Sequence, residues 1–345
     1  MPAITLSPPD DFQSVVIAKL SDDERISQRL TLENMGIAVS ALHRDGLVVL
    51  ENAVDLEHVD QLNAILTVDA LEMAQLPTTH YNDVSEGPPV GNMSQGPPLE
   101  PSLMFSDIWA NGPAISVISA VFGPKPRVNF VNGNTALSGF KGGHQNVHAD
   151  LTWNHAQFPF GFVTNYYLTD VSPANASTEL WLGSHRDTSF ADHKNCRPDD
   201  PNFKVTEGFK FGIRNELVEA RRAYAPPIQP TVKRGSVVIR DLRLWHAGVS
   251  NPSPDPRIML AFVHTPWYYD CPGEVALPET ARGLVEEWAS RENNPVVYNA
   301  HFAPVHLDHK VVPFTLNFSS HNKGFNSMLP DLPRGFVFGN DEMEN

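Results

Sequence analysis

Apolar residues in the first part of the chain recur at helical spacing and are punctuated by glycine and proline. Leu32, Met35, Ile37, Val39 and Leu42 predict an amphipathic helix stopped by Gly46, and Leu47-Val-Val-Leu50 then reads as a short buried strand. Asp55 is placed to cap a second helix with Leu56, Val59, Leu62, Ile65 and Leu66 on one face. Residues 76–101 are so rich in proline and glycine that no regular structure is expected there. Such a long loop reads as a lid or binding segment, or as a plain excursion. A helix is expected from Asp107 to Phe122, closed by Gly123-Pro-Lys-Pro126, while residues 1–30 look like a loosely attached arm.

From Arg127 onward the pattern changes to short apolar runs separated by turn residues. Arg127–Val131, Phe162–Leu168, Thr178–Leu182, Ser236–Arg240 and Arg257–His264 are the expected strands. No helices alternate with them, which favours an antiparallel sandwich or barrel over a parallel α/β sheet. An insertion at about 190–225 is polar, charged and partly helical. Beyond Trp267 a helix is expected at Pro278–Arg291, followed by irregular chain. With no repeat or convincing linker, the chain reads as a single domain over 1–345: a helical part and lid loop to 125, a β core at 126–267, and a C-terminal extension at 268–345.

Composition narrows the possibilities. Hydrophobic residues at 41% and charged residues at 19% can build a real core, and 30 prolines with 22 glycines favour short strands and loops over long helices. A formal charge of −15 argues against nucleic acid and anionic membrane as partners. No apolar run approaches the ~20 residues of a membrane span. Neither a leader at Met1–Asp10 nor an address at Asp341–Asn345 is legible, so a cytoplasmic protein is expected. Cys196 and Cys271 are too few for a disulfide framework or a thiolate metal site and read as inert thiols.

The candidate chemistry centres on His144-Gln-Asn-Val-His148-Ala-Asp150. His148 and Asp150 are two apart, so on a strand they leave the same face, offering two of the three ligands of the facial triad that binds non-haem Fe(II). His246, after the strand Ser236–Arg240, offers a third. Eleven residues later Arg257 heads an apolar strand, with Arg257, Met259 and Ala261 on one side and Ile258, Leu260 and Phe262 on the other. An arginine turned inward needs an anion, and its fork suits a carboxylate. Taken singly, each of these residues has an ordinary surface or strand-end explanation; together they define a site.

The set resembles the iron(II)/2-oxoglutarate dioxygenases of double-stranded β-helix fold. Phe162–Asn175, Leu180–His185 and Arg234–His246 resemble, more closely, the phytanoyl-CoA dioxygenase family, over roughly residues 125–267. Two departures lie within Ala174–Thr178, where the family has a glycine, and at Leu182, where it has a proline. The resemblance implies a jelly-roll (cupin-like) core in a mainly β protein with flanking N-terminal helices. It also implies Fe(II) on His148, Asp150 and His246, 2-oxoglutarate anchored by Arg257, and O2 as second co-substrate. Gln145 and Asn165 are candidate contacts to the co-substrate or supports of the site, and equally ordinary polar residues. His144 is expected to be a bystander and His185 structural; Trp153, Phe158, Phe160 and Tyr166 either line a substrate pocket or pack.

The implied reaction releases succinate and CO2 and oxidises an unactivated C–H bond. The presence of Asp150, which related halogenases lack, favours oxygen chemistry: hydroxylation first, with desaturation, epoxidation or rearrangement open. A small apolar metabolite of secondary metabolism is the expected substrate. The alternatives are an acyl-CoA 2-hydroxylase, for which only Arg221-Arg222 and Lys233-Arg234 offer clustered charge, and an inactive ligand-binding barrel. The C-terminal segment is expected to close the site or to build a homodimer.

Overall fold

Strict alternation of side chains on four central strands organises the molecule, with one face turned to helices and the other to a cavity. The computed structural model describes residues 14–82, 87–151, 153, 155–194, 210–304, 306–312, 314 and 317–321. The N-terminal elements are β1 (Ile17–Lys19), α1 (Asp22–Ser27), α2 (Leu32–Asp45), β2 (Leu47–Glu51), α3 (Leu56–Met73), β3 (Asn92–Ser94), α4 (Ser106–Trp109) and α5 (Gly112–Phe122). Then come β4 (Arg127–Ala136), β5 (Phe162–Tyr167), β6 (Glu179–Leu180), β7 (His193–Lys194), β8 (Lys210–Ile213) and α6 (Asn215–Arg222). The last are β9 (Val237–Asp241), β10 (His246–Ala247), β11 (Met259–Thr265), β12 (Val275–Pro278), α7 (Arg282–Ser290), β13 (Val297–Tyr298) and β14 (Ala300–Ala303).

The large sheet runs β1-β2-β9-β5-β11-β4-β13, with β3 also on β4. Its centre is antiparallel, but β1 joins β2 and β13 joins β4 in parallel. The sheet is open, so the architecture is a sandwich and not a closed barrel. Its partner layer is built from the β6–β10 pair and from single bridges, His148 to His246, His144 to Val249, Leu180 to Ile228 and Val171 to Val232. This is the mainly β, jelly-roll plan with flanking helices that the strand pattern and the resemblance implied.

On β2, β9, β5 and β11 the residues Val48, Leu50, Val237, Ile239, Phe162, Tyr166, Leu260 and Phe262 face α2, α3 and α5 in the main apolar core. Their neighbours Leu47, Val49, Val238, Arg240, Val163, Asn165, Tyr167, Met259, Ala261 and Val263 line the cavity. That division is the two-residue period of a strand with both faces buried.

Several local expectations change. The supposed arm is stapled from Ile17 on: β1 pairs with β2, and Ser21 and Glu24 form a capping box for α1. The expected helix from Asp107 breaks at Ala110. Asn111 caps a fresh helix by accepting from Ala114 N, and Pro113, which has no N–H to give, sits in its first turn. Residues 76–101 do contain structure, because β3 pairs with β4 and Met93 bridges to Tyr81. The C-terminal helix is shorter than expected, since β12 and a tight 3-10 turn occupy residues 275–281. Cys271 is a buried thiol, and Cys196 lies outside the described residues.

Gly46 shows how the first helix is tied to the rest. It ends α2 in a left-handed conformation, φ 77°, and a Cβ there would lie 2.5 Å from His185 Nδ1. Only glycine allows both the turn and that contact.

Candidate metal centre and the cavity around it

Cross-strand pairing brings together two histidines that are about a hundred residues apart in the chain. His148 and His246 face each other in the partner layer, His148 N donating to His246 O at 2.9 Å and His246 N to His148 O at 2.8 Å. Their ring centroids are 4.3 Å apart. Each ring is oriented by a carbonyl two residues back: His148 Nδ1 donates to Asn146 O at 2.7 Å, and His246 Nδ1 to Leu244 O at 3.0 Å. With Nδ1 protonated, both Nε2 lone pairs are free for a metal, the arrangement by which metal-binding histidines are held.

Asp150 completes the cluster. Its Oδ1 lies 3.8 Å from His148 Nε2 and 3.5 Å from His246 Nε2, and its backbone N donates to Leu242 O at 3.1 Å. The three side chains can hold one metal ion, all potential ligand atoms lying within 4.8 Å of one another. Burial by itself would raise the Asp150 carboxyl, but His246 and Arg240 outweigh it and hold it well below the usual carboxylate range. Burial, then the neighbouring His246, pushes His148 down to about 3. The cluster at neutral pH therefore holds a carboxylate beside a neutral imidazole, a donor set suited to a divalent cation.

Arg240 was not singled out from the sequence. It projects from β9 into the cavity, and its Nη2 donates to Asp150 Oδ2 at 2.6 Å. Its signal was present, because a charged residue within the buried run Val-Val-Ile demands a partner.

Arg257 lies 2% exposed at the head of β11, where its backbone exchanges hydrogen bonds with Ala136. Nη1 donates to Asn134 O at 2.9 Å, the guanidinium carbon is 5.6 Å from the Tyr167 ring centroid, and Nε has no partner. No carboxylate pairs with it among the described residues. A buried guanidinium with an unused donor fits an arriving carboxylate, as 2-oxoglutarate would supply.

Both arginines and the His–Asp–His cluster border one cavity of about 390 Å³. Gln145 and Asn165 border it too. The Gln145 amide is already engaged at both ends, donating to Asn82 O and accepting from Gly248 N. Asn165 presents its side chain with no partner among the described residues. His144 stays outside the cluster, 3.0 Å from Glu179, which with burial opposing raises its pKa. His185 donates from Nε2 to His43 O at 3.1 Å, a packing role. Trp153, Phe158, Phe160 and Tyr166 pack into the apolar clusters instead of lining the cavity.

Walls of the cavity come from segments the sequence left open. His80, Tyr81 and Asn82 of the long loop line it, as does Phe211, whose ring is 4.7 Å from His148. Phe318 of the C-terminal segment also lines it and meets Phe130 edge-on at 5.5 Å. That segment is pinned by His309 to Asp69 at 2.8 Å, Lys310 to Glu72 at 2.8 Å, and Tyr269 Oη donating to Phe318 O at 2.9 Å.

The model of the phytanoyl-CoA dioxygenase family matches residues 42–259, well over half of the chain. The chain belongs to that family, and so to the iron(II)/2-oxoglutarate-dependent dioxygenases, with Fe(II), 2-oxoglutarate and O2 as their cofactor and co-substrates. Among solved structures the chain is similar to the carbocyclase SnoK from nogalamycin biosynthesis, at 16% identity and a TM-score of 0.49 over 69% of this chain and 85% of that one. It is also similar to EctD from S. alaskensis with 2-oxoglutarate and 5-hydroxyectoine, at 18% and 0.47 over 75% and 82%. A third is the epimerase SnoN with Fe3+, alpha ketoglutarate and nogalamycin RO, at 14% and 0.48 over 68% and 84%. Among the described residues no helix is long and apolar enough to cross a membrane.

Proposed function

We propose that His148, Asp150 and His246 bind Fe(II), that Arg257 anchors the far carboxylate of 2-oxoglutarate, and that the cavity oxidises a small, uncharged, largely apolar metabolite of secondary metabolism. The observation that carries this reading is a pair of complementary groups on one cavity: a His–Asp–His donor cluster and a buried guanidinium with no carboxylate partner among the described residues. When bound, iron and 2-oxoglutarate supply an oxidant strong enough for an unactivated C–H bond, with succinate and CO2 released. The protein's part is to hold and exclude. His148 and His246 keep their Nε2 atoms aimed through their carbonyl bonds, and Asn165, beside Asn92 and Asn134, offers the co-substrate a polar side chain. Phe130, Val163, Phe211, Val263 and Phe318 offer the substrate a dry wall.

The substrate class follows from charge and size. Among the described residues, the only Asp, Glu, Lys or Arg side chains lining the cavity besides Asp150 are Arg240, already paired with it, and Arg257, kept for the co-substrate. A volume of about 390 Å³ is near the low end of the ~300–1,000 Å³ of small-molecule sites. Shared with 2-oxoglutarate, it leaves room for a compact reacting group, and among the described residues no cluster of basic side chains lines it for the phosphates of a nucleotide-bearing thioester. Hydroxylation is the expected outcome.

Anaerobic addition of Fe(II) and 2-oxoglutarate should produce a visible charge-transfer band that Asp150→Ala abolishes. Absence of the band in the unaltered protein would refute the reading.

A further inference from the structure

Arg240 meets the Asp150 carboxylate at one atom, the oxygen turned away from the histidines. Asp150 Oδ1 faces both Nε2 atoms, while Oδ2 accepts from Arg240 Nη2 at 2.6 Å. We propose that Arg240 is a positioning residue that restricts Asp150 to a one-oxygen contact with the metal and so keeps adjacent coordination positions open for 2-oxoglutarate. The proposal rests on the iron/2-oxoglutarate reading of the site and adds a role for a residue outside the donor set.

The physical argument concerns what it would take for Oδ2 to swing toward the metal. Arg240 is 7% exposed on β9, with Leu47 of β2 and Val163 of β5 as its register neighbours on either side. Among the described residues Asp150 is its only ion-pair partner. Rotating Oδ2 away would leave a buried guanidinium uncompensated, and removing one partner from a buried pair is strongly destabilising. Nor can the arginine follow, because its Nη1 already lies 3.3 Å from His246 Nδ1. With that nitrogen's proton on Leu244 O, the imidazole edge simply fills the space on that side of the guanidinium. A carboxylate held in this way gives the metal one ligand atom. A free one could give two and occupy a position that a chelating co-substrate needs.

The test compares unaltered protein, Arg240→Gln and Arg240→Lys, titrated anaerobically first with Co(II) alone and then with Fe(II) and 2-oxoglutarate. Folding is checked by circular dichroism. Arg240→Gln is expected to bind Co(II) with a changed visible spectrum before any 2-oxoglutarate is added, and to bind 2-oxoglutarate about 10–100-fold more weakly, a loss of the size that removing such supports has on metal affinity or activity. Arg240→Lys, which keeps a cation near Oδ2 without the fork, is expected to fall between. An unchanged Co(II) spectrum in Arg240→Gln overturns the proposal. If 2-oxoglutarate binding is weakened all the same, Arg240 touches the co-substrate directly. Loss of Co(II) binding by a folded variant also overturns it, because Arg240 would then be needed for the cluster itself. Should Arg240→Gln fail to fold, Arg240→Lys decides on the same spectrum. A missing charge-transfer band in the unaltered protein would instead sink the iron/2-oxoglutarate reading and leave the Co(II) comparison standing.

Discussion

Replacing Arg257 by Met should separate stability from co-substrate binding, because the arginine is costly to the empty protein and needed only when an anion arrives. The guanidinium is buried with a single hydrogen bond, to Asn134 O, and an unpartnered Nε. A hydrogen bond from a charged group is worth roughly 1.5–3 kcal/mol. Burial of the charge costs several kcal/mol. The two nearly cancel, and Met fills the volume of the aliphatic stem, so the melting temperature of the apo-protein should hardly move. Binding behaves differently. A carboxylate reaching this site without its partner is a buried pair with one member removed, a loss of about 3–5 kcal/mol. At about 1.4 kcal/mol per tenfold, 2-oxoglutarate affinity should fall roughly a hundred- to a few-thousand-fold. The assay is an anaerobic titration of the Fe(II)-loaded protein followed by the charge-transfer band, beside thermal melts without ligand. A loss of affinity below about tenfold, or a collapse of apo stability by several kcal/mol, would refute the reasoning.

Acid should unfold the apo-protein steeply. Burial pushes His155 and His193 down to about 4 and His264 down to about 3. The unfolded chain takes up these protons near pH 6.5 while the folded protein refuses them. Stability is therefore full above that pH and falls between there and the folded values, by up to about 1.4 kcal/mol per pH unit per histidine. In urea titrations from pH 7 to 4.5 these three histidines should contribute a slope approaching about 4 kcal/mol per unit, and a flat profile would contradict the burial argument. Phe318→Ala should cost about 3–5 kcal/mol in thermal melts and widen the cavity mouth, with Fe(II) and 2-oxoglutarate binding unchanged. Weakened binding of either would show that the C-terminal segment shapes the metal site itself.

Local patterns in the sequence carried much of this protein. The two-residue spacing of His148 and Asp150, the glycine that ends α2, the Asp55 cap and the runs that became β2, β5, β9 and β11 are each decided within a few residues. Strand alternation also put Arg257 on the side of Met259 and Ala261, without saying which side faces the cavity. Where local signals competed, the reading failed: Pro113 and Asn111 restart a helix that periodicity would run through, and β3 hides among prolines because its partner β4 supplies the order.

The long-range part belongs to the tertiary structure. Nothing near His148 says that its ring will stand opposite His246; that is a matter of strand register between distant segments. Arg240 reads as an oddity within an apolar strand until the sheets stack and Asp150 is its neighbour. Phe318, far beyond the family match, becomes a wall of the cavity because Phe130 and the Tyr269 hydroxyl hold it there. Sequence alone therefore singled out the side chains proposed to carry the chemistry, since donor type and spacing are local properties. Only the folded chain decided how they are held and what encloses them, since burial and pairing depend on contacts that no short stretch contains.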